Sequence, residues 1–383
     1  MDSSSNRCYR CMNILKKEAL MCPNCKNKIQ STLKNSDFLK PGTILSNRYI
    51  IGDVISQNHE SITYIALDQH LDAKIAIKEF FPHFLVKRSE LGEICLDSQK
   101  SDLFNKIKLE FANLHDSLSK FRTIPNILKV FSIFFDADTV YVIQELPQGV
   151  TLRKYLSKYY GELLWANCSN MFLELIKSIK HLHDGGIVHG GLSPETLLVY
   201  NNQFKITGFS TKCLRIKQKI MPYEIYDGYA APEQYDIHAL GPYSDVYGTA
   251  AVMYKSLTGT MPVASNTRSS NDNLIPPEIL NPNIPKNVSF AIMSALNLSP
   301  KIRTQTMEDF YADIITPPRS SSQEAEKIKI QSEVYPANGP IVFEEKHEMK
   351  THKVILLAMT ISIGIAVFFL AIAVLILFGG DLF

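Results

Sequence analysis

Four of the seven cysteines, Cys8, Cys11, Cys22 and Cys25, fall near the N-terminus as two C-x-x-C pairs, while Cys95, Cys168 and Cys213 stand singly. Each pair sets two thiolates on a tight turn, and four thiolates suit a closed tetrahedral zinc site. Pro23 and Asn24 supply turn chemistry inside the second pair. Met1 to Arg10 lacks the apolar run of a secretory signal, so the thiols are expected in a reducing compartment, where they hold metal rather than pair with one another. A redox-active pair would need a surrounding βαβ pattern that so short a segment cannot hold. Zinc is therefore expected to do folding work, as domains below about 40 residues usually need a metal or disulfides.

A second set of chemically useful residues lies further along, in a fixed order. Lys78 sits in I75-A76-I77-K78-E79-F80-F81-P82, and Glu110 follows. Then come Q144-E145-L146, H189-G190-G191-L192-S193-P194-E195-T196-L197-L198, T207-G208-F209-S210, A231-P232-E233, Asp245 and Arg303. The elements that must position them divide the central body in two. Short β-branched and aromatic runs predict strands at Arg48 to Ile55, Ser61 to Leu67 and Lys74 to Phe80. Helical spacing of Leu103, Ile107, Phe111 and Leu114 predicts a helix over Asp102 to Lys120. Beyond Pro147 the long segments read as helices, at Asn170 to His183 and Val246 to Leu257.

On these ordered motifs the chain resembles the protein kinase family, most closely its bacterial serine/threonine members. The resemblance implies an α+β, two-lobed protein-kinase-like fold at 47–315, with a small lobe at 47–146 and a large lobe at 147–315. Lys78 would be the nucleotide-binding lysine of the third strand and Glu110 its helix partner in a lobe-bridging ion pair. Leu114, His189 and Phe209 match the hydrophobic spine, and Glu233, Asp245 and Arg303 match buried polar supports of the large lobe. The N-terminal segment, 1–30, resembles a small zinc ribbon, joined by a linker at 31–46 that is polar from Ser31 to Asp37. On that reading the kinase-like body is expected to fold without the ribbon.

The chemistry departs from the family pattern. Phosphoryl transfer asks a protein for a base near the substrate hydroxyl and for oxygen ligands on magnesium. The position matching the catalytic aspartate is Gly191, that of the metal-binding asparagine is Thr196, and that of the metal-binding aspartate is Gly208. Glycine offers no side chain to take a proton or bind a hard cation, and threonine replaces an amide oxygen poorly. The glycine-rich loop is S-Q-N-H-E-S, with Ser56, Asn58 and Ser61 where three glycines would let backbone approach phosphates and with Glu60 adding negative charge. Gly190 replaces the arginine that in many kinases reads a phosphorylated activation loop. No catalytic residue is assigned, and ATP and magnesium are expected to bind weakly or not at all. Packing is expected for His189, and neither Glu195 nor Asp184 is expected to replace the missing base.

The other end of the chain carries a different signal. Residues 354–378 hold no charge, and at about 1.5 Å per residue such a helix spans a hydrocarbon core of roughly 30 Å. Lys346, Lys350 and Lys353 precede it and only five residues, 379–383, follow, so the expected arrangement is a single-pass tail anchor with the body in the cytoplasm. Between them, 316–353 has the Pro, Ser and mixed-charge composition of a flexible tether.

Across the 383 residues the formal net charge is only +2, which excludes a global field that recruits nucleic acid. Arg7, Arg10, Lys16, Lys17, Lys26 and Lys28 read as a solvated surface. The expected function is that of a membrane-anchored pseudokinase, a signalling or scaffold module acting on a cytoplasmic protein partner. Two alternatives stand beside it: an active serine/threonine kinase with atypical catalytic and metal residues, and nucleic-acid or adaptor binding centred on the ribbon.

Overall fold

The computed structural model describes residues 7–16, 19–28, 36–159, 162–219, 221–235, 240–268 and 272–316. The chain divides into a unit of Met1–Pro318 and a second of Arg319–Phe383. The second unit, with most of the expected tether and all of the apolar run at 354–378, lies outside the described residues. Among the described residues no helix is long and apolar enough to cross a membrane.

The strand-rich half begins with β1 (Ile44–Leu45), β2 (Tyr49–Gln57), β3 (Ser61–Asp68), β4 (Ala73–Phe80), β5 (Val86–Arg88) and β6 (Ile94–Leu96). Helix α1 (Ser101–Ser119) follows, then β7 (Val130–Asp136) and β8 (Thr139–Gln144). Six of these strands form an antiparallel sheet in the order β1-β2-β3-β4-β8-β7, with β5 and β6 paired apart from it. Alternation along β4 sends Lys78 and Glu79 to opposite faces. Helix α1 lies against β7 and β8, and the Phe80 ring of β4 packs at a tilt 5.4 Å from Phe104 and 5.1 Å from Phe111 between ring centres. The expected helix face is shifted slightly: Phe104, Ile107, Phe111, His115 and Leu118 are buried, whereas Leu103 and Leu114 are half-buried.

The helical half contains β9 (Val150–Thr151), α2 (Leu152–Leu156), α3 (Trp165–Asp184), β10 (Leu197–Tyr200), β11 (Gln203–Ile206), α4 (Pro242–Thr258), α5 (Pro277–Leu280), α6 (Lys286–Ala295) and α7 (Met307–Ile315). Helix α3 buries Phe172, Leu175, Ile179 and Leu182 completely, each contributing about 1.5–3 kcal/mol through apolar burial. Helix α4 starts with Pro242 in its first turn and ends at Gly259, whose φ of +69° makes the left-handed cap that glycine tolerates. Nearly all of α4 is buried, which makes it the axis of this half. The small sheet β11-β10-β9 lies at the junction, where Ile206 N donates to Asn126 O (2.7 Å) and Asn126 Nδ2 to Phe204 O (2.9 Å). Chain leading into β7 is thereby tied to the strand that precedes Thr207–Ser210.

Candidate functional site

Strand β4 brings Lys78 into the cleft between the halves, where it is buried and donates to Phe209 O at 2.7 Å. The Lys78–Glu110 ion pair does not form. Glu110 accepts the backbone N–H of Lys212 at 2.9 Å, while from α1 Lys78 meets His115 (Nε2 at 3.4 Å) and the Phe111 ring (5.3 Å). The cause is the rotation of α1: His115 follows Glu110 by more than one turn and lies on a different face. Burial lowers the Lys78 pKa to about 8, opposed by Glu60 and Glu224 and reinforced by Arg215. His115 is pushed well below the ordinary histidine value by burial and by Lys78, so its neutral ring can accept a hydrogen bond from Lys78.

The loop between β2 and β3 folds down onto the segment that follows Phe209. Glu60 is fully buried and its carboxylate accepts from Thr211 N (3.0 Å) and from Thr211 Oγ1. Asn58 Nδ2 donates to Ser210 Oγ at 3.0 Å, and its Oδ1 accepts from Glu60 N (3.1 Å) and Ser61 N (2.8 Å), bracing the loop from inside. His59 N donates to Glu224 Oε1 at 2.7 Å. Burial raises the Glu60 pKa, with Lys78, the Thr211 bonds and Arg215 pulling against it. Glu60 and Glu224 thus both sit in the field of Lys78 and Arg215.

Across the cleft, Gly191, Thr196 and Gly208 are brought together, joined by hydroxyl, carbonyl and guanidinium contacts. Thr196 Oγ1 donates to Gly191 O at 2.9 Å, and Arg215 reaches both Glu224 O (Nη1, 3.1 Å) and Gly208 O (Nη2). His189 is spent on structure: Nδ1 accepts from Gly191 N (3.1 Å), Nε2 faces Thr207 O (2.9 Å), and the ring packs edge-on to Phe209 at 4.8 Å. Burial, aided by Arg215, lowers its pKa to about 4, so the ring is neutral at pH 7. Glu195, half-buried, is paired with Arg153, and exposed Asp184 with Lys180. The matched supports are in place. Asp245 accepts from His189 N (2.8 Å) and Gly190 N (2.7 Å), and Arg303 holds both oxygens of Glu233 at 2.7 and 3.0 Å.

The profile of the protein kinase domain matches residues 96–327, more than half of the chain. The chain belongs to the protein kinase family. Among its relatives are a probable serine/threonine-protein kinase of Clostridium acetobutylicum, 25% identical over 283 residues, and the serine/threonine-protein kinase PrkC of Bacillus subtilis, 25% identical over 294. The alignments cover 71% and 72% of this chain and 40% and 41% of those proteins, so the chain spans about two-fifths of the length of the curated relatives it matches. Among solved structures, PpkA-294 in its apo form superposes with a TM-score of 0.63 at 24% identity, over 73% of this chain and 100% of that one. The Mycobacterium tuberculosis PknI kinase domain gives 0.51 at 15%, over 72% and 98%. These likenesses establish the kinase fold.

Arg215, His115 and Glu224 were not legible as parts of the kinase cleft from the sequence. No motif spacing names them, and the charge of Glu60 in a loop of family-glycine positions speaks only to repulsion of phosphate, not to what fills the cleft.

The second chemical site of this kinase-family chain is the cysteine cluster. Its knuckles are near-copies: Cys8 N donates to Asn13 O and Cys22 N to Asn27 O, both at 2.9 Å, and Met12 and Lys26 take left-handed backbones at φ +57° and +59°. The four sulfurs lie within 4.8 Å of one another, with Cys8–Cys25 and Cys11–Cys22 at 3.6 Å. A tetrahedral zinc with bonds near 2.3 Å separates its sulfurs by about 3.8 Å, so the donor set fits a structural metal such as zinc. Burial pushes the Cys8 thiol up to about 12. Cys22 is lowered, first by the backbone N–H of Cys25. Burial also opposes ionisation of Cys25, but bonds from Asn27, Cys8 and Cys22 hold it at about 6.

Proposed function

We propose that this chain is a pseudokinase: a kinase-fold module that does not transfer phosphate and works by binding a cytoplasmic protein partner. The observation that carries the reading is the occupation of the cleft. Arg215 fills the room beside Gly191, and Glu60, bonded to Thr211, lies in the loop that family members use to cover phosphates. Lost general-base catalysis alone costs about 10²- to 10⁴-fold, and missing metal ligands add to it. We also propose that residues 354–378 anchor the chain in a membrane with the body in the cytoplasm, on the strength of their uncharged length and the preceding lysines.

The test is phosphate transfer by the purified full-length chain in detergent, given magnesium or manganese, labelled ATP and generic protein substrates. Label in the chain itself and in the substrates should stay at background. Turnover on the order of 1 s⁻¹ or faster, as ordinary kinases show, rejects the reading and favours an active kinase with atypical ligands. A divalent-dependent rise in melting temperature with ATP would point the same way, because a ligand that binds the native state stabilises it by mass action. For the anchor, a chain truncated after Lys353 should leave the membrane fraction; its retention there would remove the proposal.

A further inference from the structure

The cysteine cluster lies on the sheet rather than apart from it. Met12, between Cys11 and Asn13, is completely buried and packs with Ile65 and Leu67 of β3, flanked by Ile50 of β2 and Leu146 just beyond β8. Asp53 N donates to Tyr9 O at 2.9 Å. That donor is free because the β2–β3 register shifts between Ile51 and Val54, and the bulge turns an amide away from its ladder. Gly52 makes the approach possible. A Cβ there would overlap Tyr9 O and the Met12 methyl and come within 2.9 Å of Ile65 Cγ2. Asn13 and Arg7 add bonds to Lys74 and Asp72 at the rim.

The near-symmetry of the two knuckles shows what is special about the first. Met12 and Lys26 occupy equivalent left-handed positions, yet the residue facing the sheet is apolar and buried while its counterpart is charged and exposed. Met12 and Tyr9 are also flanked by the sulfurs that a metal would hold, so the shape that reaches Gly52 depends on the cluster being closed. Strand β2 then runs on directly into Asn58–Glu60, the loop that fills the cleft.

We propose that the four-cysteine site is a metal-dependent clamp on the small lobe, in which bound metal shapes the Cys8–Asn13 knuckle to grip β2 at Gly52–Asp53 and metal loss frees that strand and the loop it carries. The proposal concerns the ribbon–sheet contact and does not depend on whether the cleft transfers phosphate.

The experiment is amide hydrogen exchange on the full-length chain loaded with one equivalent of zinc, before and after chelation. Chelation should speed exchange of the Asp53 amide by about tenfold or more and also quicken residues 58–61, while α3 stays protected as an internal reference. Gly52→Ala should give the same pattern with zinc still bound, and chelation should then add little. If that variant unfolds throughout, Met12→Ala, which removes the plug without adding volume, should give the β2 effect in milder form. Unchanged Asp53 exchange on chelation overturns the proposal. So does loss of protection that includes α3, which would make the metal a support of the whole fold, or full additivity of chelation with either variant.

Discussion

The Arg215 guanidinium takes up the room that a side chain at Gly191 would need: a Cβ placed there overlaps Nη1 and lies 2.5 Å from Cζ. Arg215 is 1% exposed and is fixed by Glu224 O, by Gly208 O and by a 3.7 Å approach to the Glu224 carboxylate, so it does not readily swing aside. One buried cation thereby joins Gly191 and Gly208, the two glycines whose place in the motif order matches the family's catalytic and metal-binding aspartates. Reinstating an acid here is a packing problem before it is a chemical one.

Gly191→Asp should therefore destabilise the body by about 1–3 kcal/mol and leave phosphate transfer at background. A new carboxylate does not simply pair with Arg215: the overlap begins at its Cβ, so the carboxylate overshoots the guanidinium and displaces it from its two carbonyl partners. Urea unfolding with a parallel phosphotransfer assay measures both parts. A stabilised variant would show that Arg215 is replaceable filler.

Lys78 gives a pH signature. Its folded-state pKa of about 8 lies below its ordinary 10.5, chiefly because it is buried. Below about pH 8 both states hold the proton; between the two values only the unfolded state does, so stability rises with pH through that window. The full rise is on the order of 3 kcal/mol. Comparison of urea midpoints between pH 7.5 and 10 should show this rise in the parent chain and its loss in Lys78→Met. Parallel curves would mean that Lys78 keeps its charge in the cleft.

The parts readable from the sequence are those governed by local pattern or fixed motif order. The strands predicted around Ser61 and Lys74 and the helix over Asp102 to Lys120 agree with the structure to within one residue at each end. Asp245, Glu233 and Arg303 could be named because each sits at a fixed place in an ordered motif set. The partner of Lys78 could not be named the same way. Each residue advances a helix by about 100°, so whether Glu110, Phe111 or His115 meets the lysine depends on how α1 rolls on the sheet, a packing outcome with no local signal. The burial of Glu79 was equally hidden: its carboxylate is held by Arg88 at 2.7 Å and by the Tyr64 and Tyr141 hydroxyls at 3.0 Å, donors from three separate strands. The contact between Met12 and the sheet has no signal in the sequence: the polar run from Ser31 to Asp37 reads as separation, while the decisive residue, Gly52, carries its information through a missing side chain.

The Glu233–Arg303 pair offers a stability test. Both side chains are almost wholly buried, and Ser244 Oγ adds a third bond to Glu233 at 2.7 Å. Arg303→Leu strands a buried carboxylate and should cost about 3–5 kcal/mol, whereas the double change Glu233→Leu with Arg303→Leu should cost less than that single one. Equilibrium denaturation of the three chains decides it. A double variant worse than Arg303→Leu would mean that the remaining partners of Glu233, not the ion pair, set the energetics.

Gly208 is held by two constraints, and they can be separated. Its φ of +76° is left-handed, which costs a side-chain-bearing residue on the order of 1 kcal/mol. A Cβ would also meet Thr196 Cγ2 at 2.6 Å. Gly208→Ala should thus destabilise by about 1–3 kcal/mol, part from backbone and part from the clash. Thr196→Ser deletes only the methyl and keeps Oγ, which donates to Gly191 O at 2.9 Å and accepts from Ser193 N at 3.0 Å, so that change alone should cost little. In the Thr196→Ser background the Thr196 Cβ still lies 3.2 Å from the new Cβ, so the penalty of Gly208→Ala should shrink towards its backbone part, giving a coupling energy of about 0.5–2 kcal/mol in a double-mutant cycle read by urea unfolding. Strict additivity would show that Thr196 yields freely, and that an acid could return to position 208 with no change at its neighbour.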